Sequence, residues 1–174
     1  MTTTAEAIVI GGGVMGASIL YSLSSKGIKN PILLERATVG SGSTGRSSGA
    51  IRMHYSTEVN ARLAFESLKV FANFDEIVGG DVGFVETGYM VLAPDHAREG
   101  FQDNIEMQRA VGIDTRVVSL DEARELAPAF RLGDDEHFAW ESRSGHADPS
   151  ATASAYISLS LIHISAPTRR YAIS

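Results

Sequence analysis

Apolar residues fall into short unbroken runs and longer stripes, and the two patterns predict different elements. Ala5 to Ile10 is a compact apolar run rich in β-branched residues and reads as a buried strand. Glycines 11, 12, 13 and 16 interrupt it. From Val14 to Lys26 the apolar positions Val14, Ala17, Ile19, Leu20 and Leu23 repeat at helical spacing, and Gly27 stops the pattern. Pro31 to Glu35 is a second buried strand. Strand, tight turn, helix and strand within this distance make a βαβ crossover.

Beyond Ala50 the pattern changes. A long amphipathic helix is predicted over Thr57 to Val78, with Val59, Leu63, Leu68, Phe71, Phe74 and Val78 on its apolar face. Short strands are expected at Phe84–Val85 and Tyr89–Leu92 around Gly88. A helix follows from Asp95 to Val111, closed by Gly112, and then a strand over Thr115–Val118. Ser119, with Glu122 three positions on, has the form of a capping box for a helix that runs to Leu126 before Pro128. His137–Glu141 is a further strand, and Asp148-Pro149 opens a helix towards Tyr156. The expected fold class is α/β, a truncated nucleotide-binding βαβ layer of Rossmann type with the start of an inserted α+β substrate domain. The expected division is a first layer over residues 1–80, an inserted portion over 81–145, a return to the first layer over 146–158, and a separate tail over 159–174.

Composition narrows the function classes. The 174 residues carry a formal net charge of −6, which argues against a nucleic-acid partner and a polybasic membrane anchor. With no cysteine, disulfides, thiolate metal sites and a cysteine nucleophile are excluded within the chain. No metal-binding pattern is found. No apolar run reaches the roughly 18 residues of a membrane span, and Met1 to Glu6 lacks the form of a signal peptide. The expected location is the cytoplasm.

Gly11, Gly13 and Gly16 form G-x-G-x-x-G. In such a motif the first glycine turns the chain out of the strand, the second lets a pyrophosphate approach the backbone, and the third lets helix and strand pack closely. A strand precedes the motif and a helix follows it. Glu35 ends the second strand 24 residues after Gly11, where a carboxylate can hold a ribose hydroxyl pair. An acid there favours an unphosphorylated ribose, hence FAD or NAD. The segment from Arg36 to Arg52 is rich in Gly, Ser and Thr and too long for a plain connector.

Together with the glycine motif, the run Gly40 to Arg52 resembles the D-amino-acid oxidase superfamily of flavoproteins, in the branch of sarcosine oxidase β-subunits, dimethylglycine dehydrogenases and glycine oxidases. Glu86 to Met90 and Gly145 to Pro149 are similar to later segments of that family, so the resemblance spans Ala5 to about Tyr156. It implies FAD as cofactor, with Gly11, Gly13, Val14, Met15, Gly16 and Glu35 around its ADP half and Arg36 near the adenosine. Ser43, Thr44, Gly45 and Ser47 would lie by the pyrophosphate and flavin. The family attaches flavin covalently through a histidine in some members; residues 37–53 hold neither histidine nor cysteine, so non-covalent FAD is expected. The implied reaction is oxidation of a C–N bond in a small amine or amino acid, with hydride passing to the flavin and on to oxygen or another acceptor.

The resemblance also implies that Arg52 anchors a substrate carboxylate, since sarcosine oxidases are similar to this chain in placing an arginine at the end of this segment; a planar guanidinium matches a carboxylate in a bidentate way. A surface arginine or a structural ion pair is the alternative. Arg46 and His54 are weaker candidates. An NAD-dependent dehydrogenase and a non-catalytic FAD-binding subunit of a hetero-oligomer are the competing functional readings. Leu159 to Arg169 resembles a translated sequencing adaptor, with Ala166 where the adaptor encodes glutamate. On that reading the natural sequence ends near Ile157 or Ser158, and the chain is an N-terminal fragment without activity of its own.

Overall fold

The computed structural model describes residues 4–162, with side chains to Ser160. Two compact units are formed. Among the described residues the first comprises 4–49, 73–84 and 147–162, and the second 50–72 and 85–146.

In the first unit, β1 (Ile8–Ile10) and β2 (Ile32–Leu34) are parallel, with Val9 opposite Leu33. Helix α1 (Val14–Ser25) provides the crossover and buries Ala17 and Leu20. Side chains alternate along β1, so Val9 is buried while Ile8 and Ile10 stay exposed. After β2 the chain runs through a glycine-rich segment with one 3-10 turn at Thr44–Arg46. Helix α6 (Pro149–Ile162) packs along α1. Asp148 starts α6: its Oδ1 accepts from the N–H groups of Ser150 and Ala151 at 2.8 and 2.9 Å, and Pro149 takes the first helical position. Tyr156 of α6 lies between Tyr21 of α1 and Phe74, with ring centroids 5.6 and 5.2 Å away.

The second unit is built on a three-stranded antiparallel sheet in the order β5-β7-β6, formed by β5 (Tyr89–Pro94), β7 (Glu136–Glu141) and β6 (Thr115–Val118). Tyr89 pairs with Glu141 in the first ladder and Thr115 with Glu141 in the second. Helix α4 (Arg98–Val111) covers one face, where Phe101 and Ile105 meet Ala93 and Ala139. Helix α5 (Leu120–Leu126) lies against the other, where Ala123 meets Val118 and Phe138 and Trp140 packs at the margin. A smaller sheet places β8 (Gly145–His146) between β3 (Ala50–Ile51) and β4 (Val85–Glu86).

Three expectations need correction. The helix predicted over Thr57–Val78 is two helices, α2 (Glu58–Ala72) and α3 (Phe74–Ile77), broken at Asn73, whose φ and ψ of −129° and 36° are not helical. Its apolar stripe is not one buried face either: Leu68, Phe74 and Val78 are buried, whereas Val59 and Leu63 are exposed. The stripe divides because α2 belongs to the second unit and α3 to the first. The capping box at Ser119 is half formed. Ser119 Oγ accepts from Glu122 N at 3.2 Å, but the Glu122 carboxylate turns to Arg116 at 2.6 Å, because an ion pair to a neighbouring strand outcompetes the return bond. Of the tail, Leu159–Ile162 belong to α6 and residues 163–174 lie outside the described residues.

Candidate functional site

The turn between β1 and α1 is tied at four points. Gly11 continues the strand ladder by donating to the Leu34 carbonyl at 2.8 Å, then leaves it with a φ of 104°, a conformation open to glycine. Gly16 lies so close to this turn that a Cβ there would stand 1.9 Å from the Gly11 carbonyl oxygen. Gly40 N–H donates to the Gly12 carbonyl at 2.9 Å, and Gly45 N–H donates to the Gly40 carbonyl at 2.7 Å, which folds the glycine-rich segment back onto the motif. Thr44 is thereby brought to the start of α1, where its Oγ1 accepts from Val14 N–H at 3.0 Å. A Cβ at Gly13 would stand 3.0 Å from that hydroxyl oxygen.

Glu35 closes the arrangement. One carboxylate oxygen accepts from Gly12 N–H at 2.6 Å and the other from Ala37 N–H at 2.8 Å. These bonds, the one from Gly12 first, hold its carboxyl below the usual glutamate range. No acidic side chain lies in the first turn of α1, and Gly13 at its N-cap offers no side chain. The first turn of α1 therefore sets no acid of its own against the positive end of the helix dipole, where a diphosphate is favoured.

In the second unit a polar cluster surrounds Arg52. Its guanidinium donates through Nη1 to the His54 carbonyl and lies over the rings of Tyr55 and Tyr89, 4.8 and 5.9 Å from their centroids. Glu141, at the end of β7, is fully buried. Its Oε2 accepts from Met53 N–H at 2.9 Å and from Ser144 Oγ at 2.7 Å, while its Oε1 faces His54 Nδ1 at 3.9 Å. Burial pushes the His54 imidazole below the usual histidine range; Arg52 adds to this, and Glu141 and Gln108 oppose it. At 3.9 Å the His54 ring nitrogen and the Glu141 oxygen stand too far apart for a hydrogen bond. Gln108 of α4 donates to the Tyr55 carbonyl at 3.1 Å and fixes the next residue of the same turn.

Residues 6–160 match the model of a single protein family, described as FAD-dependent oxidoreductase. The chain belongs to that family. Its cofactor is FAD, which decides between the two dinucleotides that Glu35 permits. Over 154 residues the chain is 27% identical to the mitochondrial sarcosine dehydrogenase of Mus musculus, covering 87% of this chain and 17% of that protein. It is 29% identical over 131 residues to the mitochondrial pyruvate dehydrogenase phosphatase regulatory subunit of Mus musculus, covering 75% of this chain and 15% of that protein. The crystal structure of L-proline dehydrogenase from P. horikoshii superposes with a TM-score of 0.84 at 29% identity, covering 94% of this chain and 43% of that one. This FAD-family chain thus spans under half the length of each of these relatives.

Within this family frame the expected site residues fall into three groups. Gly11, Gly13, Val14, Gly16, Glu35, Thr44 and Gly45 converge on the β1–α1 turn. Met15, Arg36, Ser43, Arg46 and Ser47 are exposed, and the Ser47 hydroxyl accepts from Gly49 N–H at 3.3 Å. Arg52 and His54 belong to the second unit. Sequence reading missed Gly12 and Gly40, whose backbone groups connect the motif to Glu35 and to the segment carrying Thr44. It also missed Glu141, taken only as a strand end. The period of two that puts Glu141 on the face of buried Ala139 was the available signal.

Proposed function

We propose that this chain is part of an FAD-dependent enzyme that oxidises the C–N bond of a small amino acid or N-alkylated amine carrying a carboxylate. The observation that carries the reading is the convergence of Glu35 and Thr44 on the glycine turn. Two residues, 23 and 30 positions from the groups they bond, present a carboxylate and a hydroxyl to the turn that opens α1. Gly11 would turn the chain out of the strand, Gly13, Val14 and Gly16 would form the side-chain-poor cradle for the diphosphate at the helix start, Glu35 would hold the ribose hydroxyls, and Thr44 and Gly45 would lie on the phosphate side of the flavin. The flavin accepts the electrons removed from substrate; the protein supplies binding, orientation and electrostatics. Arg52 would fix the substrate carboxylate. It stacks on two tyrosine rings, which limits its rotamers and prepares the guanidinium for bidentate pairing. Sarcosine dehydrogenase and proline dehydrogenase among the relatives support a secondary amino acid as the substrate class. The FAD is held non-covalently.

Anaerobic mixing of the full-length flavoprotein with sarcosine, dimethylglycine, proline or glycine should bleach the oxidised flavin band with at least one of them. Arg52→Ala should raise KM by about a hundredfold, the scale of a lost bidentate charged contact. Acid precipitation should leave the flavin in the supernatant. The regulatory-subunit relative supports a second reading, a non-catalytic FAD-binding subunit; a flavin band that no amine bleaches would favour it.

A further inference from the structure

We infer that Glu141 is a positioning residue that holds Arg52 ready for a carboxylate ligand. The inference rests on the reading of Arg52 as substrate anchor and extends it to a residue in another element.

Glu141 touches both sides of the Arg52 site. Through Oε2 it accepts from the N–H of Met53, the residue after Arg52, and it lies directly across the ladder from Tyr89, one of the two rings beneath the guanidinium. Its other oxygen faces His54, whose backbone carbonyl receives the Arg52 Nη1–H. The turn from Arg52 to His54 is therefore gripped from β7 at its middle residue and faced at its last.

A fully buried carboxylate is costly unless its lone pairs are used. Here one oxygen accepts two hydrogen bonds, while neither Oε1 nor His54 Nδ1 has a partner among the described residues. Glu141 acts on the turn rather than on the guanidinium: its contacts are to Met53, Ser144 and His54, whereas Arg52 bonds the His54 carbonyl and lies over the two tyrosine rings. Gln108 secures the neighbouring Tyr55 carbonyl, so both tyrosine walls and the turn between them are tied to the sheet or to α4.

The test uses the full-length flavoprotein loaded with FAD, with acetate and its uncharged counterpart acetamide as ligands, each titrated by the change in flavin absorbance. Glu141→Ala should weaken acetate by about tenfold, the scale of one hydrogen bond to a charged group. Acetamide affinity and bound FAD should stay near wild type. Glu141→Gln keeps an acceptor for Met53 N–H and should recover most of the loss, and it serves as the folded comparison where the alanine variant is poorly soluble. Equal losses for acetate and acetamide, or wild-type acetate affinity in both variants, would overturn the inference. Arg52→Ala separates the two levels. If it binds acetate as tightly as wild type, the anchor reading fails and the positioning role with it. If Arg52→Ala loses acetate binding and the Glu141 variants do not, only the positioning role fails.

Discussion

Glu35 and His54 are both titratable groups moved from their ordinary ranges, for opposite physical reasons. Glu35 gains two backbone donors on folding, and its pKa falls. Its contribution to stability is present above the ordinary glutamate pKa of about 4.3 and is lost as pH drops through the lower folded value. Glu35→Gln should therefore be less stable than wild type at neutral pH and equal to it in acid, in melts followed by circular dichroism. The same variant should bind FAD roughly tenfold more weakly, since a charged acceptor becomes a neutral one. His54 loses solvation on folding, and its pKa falls for that reason first. The unfolded chain then binds the extra proton between the folded value and about 6.5. Stability is full above that window and declines as pH falls into it. A His54→Gln variant should lack this decline in melts run across the window. Sequence reading reached Glu35 because a strand-ending acid at a fixed distance from a glycine motif has a chemical reason to be there. It did not reach Glu141, whose role depends on a partner 88 positions away.

Elements with their own end signals were the most legible. Thr115–Val118 is a strand between a glycine-closed helix and a serine cap, and the structure has those bounds. Asp148-Pro149 announced α6 through the chemistry of a helix start. Asp148→Ala should cost about 1 kcal/mol by removing the acceptor for two N–H groups, measurable as a shift in the urea midpoint. What failed was the helix over Thr57–Val78. Its apolar spacing continues across Asn73, so periodicity alone gives no reason to stop. The break follows from tertiary structure: Leu68 and Phe74 are buried in different units. The half-formed box at Ser119 has a nearer cause: Arg116, three residues before Ser119 in the strand that leads into α5, takes the Glu122 carboxylate.

At the scale of the whole molecule, the cofactor turn and the arginine cluster are carried by separate units, each assembled from discontinuous stretches of chain. Only β1 and β2 of a parallel sheet are present among the described residues, and Ile8 and Ile10 on one face of β1 are exposed. Parallel sheets are ordinarily covered on both faces. Among the described residues no helix is long and apolar enough to cross a membrane.

Trp140 is the chain's one tryptophan, and it packs in the second unit between β7 and α5. Indole emission consequently reports on the arginine-bearing unit alone, whereas flavin emission would report on the glycine-turn unit. A single heated cuvette read in two colours would show whether the halves come apart together or in succession.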